Sequence, residues 1–270
     1  MRRIAITGAT GFVGAALLRA LDARVAAGEE LSARALERRP GSVPREGRPW
    51  LEVVSGDVCQ SLPPQLLEEA EVLFHLATLG IDQGQGFEAT NVAGTRRLIE
   101  SAGDALRVVL YTSSISVYGQ GPQRGEAEDA LAIAPETPLA QSRAAAEQLL
   151  CEAMAARQGS AVCTRPRYIL GAGDRHTLPG LSKLARAGWV LGSGAQRFSV
   201  IDVDDYAQIL FRVAERELAS DAPYRGGLHV GYREGLSLDE LLGGLAAAAE
   251  RPAPTRRLRV PGFVVSGLAA

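Results

Sequence analysis

Thr7-Gly8-Ala9-Thr10-Gly11-Phe12-Val13-Gly14 decides the fold of this chain. Before the loop stands Arg2-Arg3-Ile4-Ala5-Ile6-Thr7, short and β-prone. Behind it Phe12, Val13, Ala16, Leu17, Ala20 and Leu21 recur at helical spacing. GxxGxxG alone is a weak signal in a glycine-rich chain, but between a strand and a helix it reads as a phosphate-binding opening. Gly8 permits the tight turn, Gly11 lets the backbone approach a pyrophosphate, and Gly14 lets the helix lie close on the strand. Thr10, Phe12 and Val13 complete a loop whose helix start offers free N–H groups and a positive dipole end to phosphate.

Outward from this loop, strands and helices alternate. A second strand is predicted near 31–37, a Pro/Gly/Arg-rich loop over 40–50, a third strand over Leu51–Asp57 and a helix across 63–70. Val72–Ala77 reads as a fully buried strand, followed by a helix over 87–103 and a strand over Leu106–Ser113. A surface loop over 120–138, a long helix over 139–157 and a strand over Ser160–Ile169 complete the series. This order predicts an α/β fold with a parallel sheet covered on both faces. Beyond residue 170 the pattern loosens into glycine-rich loops with helices near 177–187, 203–218 and 237–249, where Asp204-Asp205 caps the second. The last twenty residues carry no assignment.

Composition narrows the function. The 270 residues carry 29 Lys+Arg against 31 Asp+Glu, a net charge of −2, and 46% are apolar. At ~150 residues per domain this is one large domain, or one plus a small lobe. Global disorder is excluded, and a nucleic-acid partner is not expected. Cys59, Cys151 and Cys163 are odd in number and scattered, which argues for a reducing compartment. His75, His176 and His229 form no ligand pattern, so no metal is expected. No apolar run reaches the ~18 residues that span a bilayer, and the chain reads as cytoplasmic with no membrane partner.

At the end of the second strand Glu37-Arg38-Arg39 carries the choice of nucleotide. An acidic residue there grips ribose hydroxyls and arginine accommodates a 2′-phosphate, so Arg38 and Arg39 favour NADP over NAD while Glu37 pulls the other way. Asp57, after the third strand, is placed either to bond an adenine amino group or to serve as a turn aspartate.

Several segments in order resemble the extended short-chain dehydrogenase/reductase family, in its NAD-dependent epimerase/dehydratase branch. They are TGATGFVG at 7–14, GDV at 56–58, HLAT at 75–78, NVAGT at 91–95, YTSSISVYG at 111–119, RPRYILG at 165–171 and VIDVDDYA at 200–207. The resemblance covers residues 1–210. It implies a Rossmann doubly wound parallel sheet with a small C-terminal substrate lobe: a dinucleotide-binding domain over 1–170, with 200–218 packing back on it, and the lobe over 171–270. It also implies cofactor contacts from Val58, Leu76, Ala77, Thr112 and Pro166, and a possible homodimer through the helices at 87–103 and 139–157.

The family's chemistry rests on a serine, a tyrosine and a lysine four residues after the tyrosine. The matching serine is Ser114. In Thr137-Pro138-Leu139-Ala140-Gln141-Ser142-Arg143, however, Leu139 stands at the tyrosine position and Arg143 at the lysine position. No Tyr-xxx-Lys occurs anywhere in the chain. Leucine has no proton to exchange, whereas Arg143 keeps a charge and can hold ribose hydroxyls. Candidates for a replacement acid are Tyr168, Tyr118 and His75, with Asp82 and Glu88 behind them. Arg197, after a Gly192-Ser193-Gly194 turn, is the candidate for an anionic substrate group, while Arg175, His176, Lys183 and Arg186 form a cationic rim or a solvated face. The expectation is an atypical NAD(P)-binding oxidoreductase or epimerase acting on a hydroxyl or carbonyl of a small molecule such as a nucleotide sugar or secondary metabolite. The alternatives are a nucleotide-binding sensor or scaffold without turnover, and a non-redox enzyme on the same fold.

Overall fold

The computed structural model describes residues 2–80, 85–121 and 125–258. The chain runs β1 (Arg2–Thr7), α1 (Phe12–Ala26), β2 (Leu31–Glu37), β3 (Leu51–Ser55), β4 (Val72–His75), α2 (Thr95–Glu100), β5 (Val108–Thr112) and α3 (Pro138–Ala156). There follow β6 (Ser160–Pro166), β7 (Tyr168–Leu170), α4 (Thr177–Ala187), β8 (Trp189–Leu191), β9 (Arg197–Phe198), β10 (Val200–Asp202) and α5 (Val203–Ala219). β11 (Arg225–Val230), β12 (Leu236–Ser237), α6 (Leu238–Ala248) and β13 (Arg256–Leu258) close the described chain.

Seven strands form one sheet in the order β11-β6-β5-β4-β1-β2-β3, and every pairing from β6 to β3 is parallel. The order reverses between β1 and β4, which makes the carboxyl ends of these strands the place where such a sheet takes a ligand. Register aligns those ends: Thr7 lies opposite His75, and His75 opposite Tyr111. β4 is buried along its whole length, as its unbroken apolar run requires of a central strand. No helix among the described residues is long and apolar enough to cross a membrane.

The chain divides into two compact units, Met1–Arg165 with Asp204–His229, and Pro166–Val203 with Val230–Ala270. In the second, three small two-stranded sheets (β10 with β7, β12 with β9, β13 with β8) accompany α4 and α6, whose core is Ala185, Val190, Leu238 and Leu242.

Four local expectations change. The helix expected over 63–70 is a single 3₁₀ turn at Pro64–Leu66, because Pro63-Pro64 supplies no N–H and Glu69 turns back at φ +60°. The helix expected over 87–103 opens with a π-helical segment, Glu88–Gly94, and ends at Glu100. The strand expected to run to Ile169 breaks at Arg167 into β6 and β7. α5 starts at Val203, so Asp204 and Asp205 sit inside its first turn.

Candidate functional site

The loop after β1 shows why each glycine stands where it does. Gly8 adopts φ +75°, and a Cβ there would lie 2.5–2.7 Å from backbone atoms of Leu76 and Ala77, in the loop after β4. A Cβ on Gly14 would lie 2.1 Å from the Gly8 carbonyl oxygen. Gly11 differs from both. Its φ is an ordinary −75°, and a Cβ would meet only the Gly8 oxygen, at 3.2 Å. Conformation makes no demand for glycine there and packing only this one tight contact; the missing side chain leaves an exposed approach to the start of α1, flanked by exposed Thr10 and half-buried Phe12 and Val13. That start has no side-chain cap and no acid in its first turn, and its first bond runs from the Ala15 N–H to the Gly11 carbonyl, 2.9 Å. The N–H groups of Phe12, Val13 and Gly14 remain for an anion. This cradle fits the diphosphate of a dinucleotide.

At the end of β2, Glu37 is buried. Its carboxylate accepts from the backbone N–H groups of Ser42 and Val43, at 3.1 and 3.4 Å, so it holds the turn that follows. Arg38 and Arg39 are exposed, and neither side chain has a bonding partner among the described residues. Asp57 accepts from the Cys59 N–H at 2.8 Å, which is the turn role, with its other oxygen uncommitted. Val58 is buried, and Arg97 donates to its carbonyl.

His75 is wholly buried and both ring nitrogens are bonded at 2.8 Å, Nδ1 to Thr7 Oγ1 and Nε2 to Thr95 Oγ1. The Thr95 hydroxyl donates to the Asn91 carbonyl at 2.6 Å, so it accepts from His75, and the tautomer follows: Nε2 carries the proton. Nδ1 then accepts from Thr7, whose oxygen receives the Ala77 N–H at 3.2 Å. Burial lowers the His75 pKa to about 4, so the ring is neutral and structural. As a replacement acid it is excluded, because neither nitrogen faces a ligand. The next landmark, Asn91, received no role from the sequence. It is buried; Oδ1 accepts from the Leu79 N–H at 2.8 Å, and Nδ2 donates to Ser142 Oγ at 3.0 Å, tying the loop after β4 to α3. The NVAGT segment marked the place in the sequence without giving the asparagine a role.

β5 delivers the serine segment. Thr112 Oγ1 pairs with the Tyr206 hydroxyl at 3.1 Å and so is spent inside the fold. Ser114 has extended backbone and caps the 3₁₀ turn Ile115–Tyr118; its Oγ accepts from the Ser116 N–H at 3.2 Å, leaving the hydroxyl proton to donate. α3 opens with Thr137 accepting from the Ala140 N–H and Pro138 in its first turn. Leu139 is half-buried in that turn, and Arg143, one turn on, donates Nη1 to the Ser113 carbonyl at 2.9 Å.

Tyr118 is buried. Its hydroxyl receives Arg165 Nη1 and lies 2.9 Å from His229 Nε2. Arg165 in turn grips Glu147 with Nε at 3.1 and 3.2 Å and with Nη2, an ion pair of 7%-exposed side chains that the sequence reading missed. Burial raises the Tyr118 pKa. In the second unit Tyr168, after Pro166, stacks edge-on with Phe198 at 5.6 Å beneath the Arg167 guanidinium. Arg197 is exposed and donates to the Gly235 carbonyl, with Glu240 3.5 Å away. Arg175, Lys183 and Arg186 are exposed, as is Glu88, and Asp82 lies outside the described residues.

A glycine loop that opens a helix after the first strand of a 3-2-1-4-5-6 sheet defines a Rossmann-type α/β protein. Residues 4–224 match the family model of the NAD dependent epimerase/dehydratase family, and the chain belongs to that family. It is 31% identical to 3beta-hydroxysteroid-dehydrogenase/decarboxylase isoform 2 of Arabidopsis thaliana over 65% of this chain, but spans only 32% of that protein. It is 31% identical to sterol demethylase protein B of Methylococcus capsulatus, covering 98% of this chain and 79% of the relative. Among solved structures it superposes on MoeE5 in complex with UDP-glucose and NAD with a TM-score of 0.76 and 26% identity, over 96% of this chain and 86% of that one.

Proposed function

We propose that the protein is an NADP-preferring oxidoreductase of this family that acts on a hydroxyl or carbonyl of a small, largely apolar molecule. The observation that carries the reading is the loop at 8–14, where Gly11 keeps the approach to α1 open although its backbone angles do not require glycine and a Cβ there would meet one atom only, the Gly8 oxygen at 3.2 Å. Gly8, Thr10, Gly11, Phe12, Val13 and Gly14 hold the diphosphate, Val58, Leu76 and Ala77 line the adjoining groove, and Arg38 and Arg39 meet a 2′-phosphate. Their freedom, beside a Glu37 already committed to its own turn, favours NADP over NAD. When bound, the nicotinamide nucleotide supplies or accepts a hydride. Ser114 orients the substrate oxygen by donating its hydroxyl proton. The sterol-directed names of two relatives support an apolar substrate rather than a nucleotide sugar.

The test is direct. NADPH and NADH are titrated against the protein by nucleotide fluorescence, and absorbance is followed with a panel of ketones. The reading expects tighter binding of NADPH and its consumption with an apolar ketone; failure of both nucleotides to bind overturns it. Leu139 favours a second reading, a nucleotide-binding sensor or a non-redox enzyme. Firm NADPH binding with no turnover across the panel would select it.

A further inference from the structure

We propose that Glu37 is a positioning residue for the nucleotide's 2′-phosphate: its carboxylate holds the turn that carries Arg38 and Arg39, and that hold sets the preference for NADP. The inference rests on the reading above for the coenzyme. An acid at the end of the second strand ordinarily grips the ribose hydroxyls of NAD. Glu37 stands there, but it is only 8% exposed and spends both carboxylate oxygens inside the protein. Oε2 accepts from the backbone N–H groups of Ser42 and Val43 at 3.1 and 3.4 Å, and Oε1 accepts from Ser55 Oγ at 3.4 Å. Its backbone is fixed as well: β2 pairs Glu37 with Ser55 of β3, and the Glu37 carbonyl accepts from the Gly56 N–H at 2.9 Å.

Between these anchors the chain makes a turn. The Ser42 N–H also bonds the Arg39 carbonyl at 3.0 Å, Pro40 presets the second residue, and Gly41 takes φ +76°, as the third residue of a type II turn does. Val43, just beyond, is buried. Arg38 and Arg39 thus leave a backbone held at Glu37 on one side and at Ser42 and Val43 on the other, while their side chains are exposed. A guanidinium on a fixed stem loses less freedom on meeting a phosphate than one on a free loop, and the difference appears as affinity. Charge alone argues the other way. A carboxylate next to both arginines lowers the local positive potential and weakens anion binding. The two roles therefore predict opposite signs when the carboxylate is removed.

The experiment titrates adenosine 2′,5′-bisphosphate and 5′-AMP by calorimetry against the wild type, Glu37→Ala and Glu37→Gln. The wild type is expected to bind the bisphosphate at least about tenfold more tightly than 5′-AMP. Glu37→Ala should remove most of that preference by weakening the bisphosphate, with 5′-AMP staying within about twofold of the wild type. Glu37→Gln, whose amide oxygen still accepts from Ser42 and Val43 but carries no charge, should keep the preference or sharpen it. A preference that survives or grows in Glu37→Ala overturns the proposal, because the carboxylate then acts as a charge and not as a clamp. So does a Glu37→Ala protein that loses both ligands together, since Glu37 would then serve the fold alone, and so does a Glu37→Gln protein as weak as Glu37→Ala. A wild type that takes neither ligand, or both equally, fails one step earlier, at the NADP reading itself, and the inference falls with it.

Discussion

At the scale of the residue, the three glycines of the first loop make separable demands. Gly8 needs both a left-handed backbone and an absent Cβ, since Leu76 and Ala77 press on it. Gly8→Ala should cost at least ~2 kcal/mol in chemical unfolding, from strain alone, whether or not nucleotide is present. Gly11→Ala tests the opposite case. With an ordinary φ and a single contact, to the Gly8 oxygen at 3.2 Å, it should cost less than Gly8→Ala, about 1 kcal/mol. Its Cβ nevertheless enters the cradle, so NADPH affinity should fall at least about tenfold. Melting curves and nucleotide titration on the same two variants decide it. A Gly11→Ala protein that is stable and binds NADPH unchanged would remove the argument that this glycine is kept for a ligand. The loop was legible in the sequence because such demands are local. Glu37 was not: its bonds to Ser42 and Val43 depend on how the next turn folds back.

At the scale of the element, β4 is fastened by a histidine rather than by apolar contacts alone. The chain from the Ala77 N–H through Thr7, His75 and Thr95 to the Asn91 carbonyl uses every donor once and requires a neutral ring. Its pKa is about 4 in the fold against the ordinary 6.5, so the unfolded chain takes up the proton first. The contribution is complete above pH 6.5, declines as pH falls toward 4, and is gone below it. Over that interval the loss is on the order of 3 kcal/mol. His75→Gln, which keeps a donor and an acceptor but cannot titrate, should flatten this part of the stability–pH curve in denaturant unfolding; an unchanged slope would mean another group carries it. The Glu147–Arg165 pair makes a second element-scale case, joining α3 to β6. Glu147→Gln leaves a buried guanidinium without its counter-ion and should cost about 3–5 kcal/mol at neutral pH, measured the same way. Neither device was legible in the sequence. His75 and Thr95 are twenty residues apart and Glu147 and Arg165 eighteen, and only the sheet and its covering helices bring them together.

At the scale of the whole molecule, the alternation of strands and helices was legible because parallel sheets bury unbroken apolar runs, of which Val72-Leu73-Phe74 is the plainest. The π-helical start at Glu88–Gly94 was hidden, since helical spacing in a sequence does not separate a wider i→i+5 turn from an α turn. Ser114 and Arg143 were singled out by their order along the chain, whereas the bond of Arg143 to the Ser113 carbonyl required the fold. Under the proposed reading, the position at which the resemblance puts a tyrosine is held by Leu139, which has no proton to exchange. Leu139 sits in the first turn of α3, one turn before Arg143 on the same face. The turn is already capped by Thr137, so replacing its side chain leaves the helix start intact. If the rest of the frame is that of a reductase, Leu139→Tyr should raise NADPH-dependent reduction of a ketone about 10²-fold, the low end for a positioned acid. Arg143→Lys added to it should raise the rate further only if the ammonium outweighs the lost bond to Ser113. Initial rates by nicotinamide absorbance check both, alongside melting curves and NADPH affinity. Wild-type stability and nucleotide binding with no gain in rate would show that the surrounding groups, and not the single missing phenol, have been turned to another reaction.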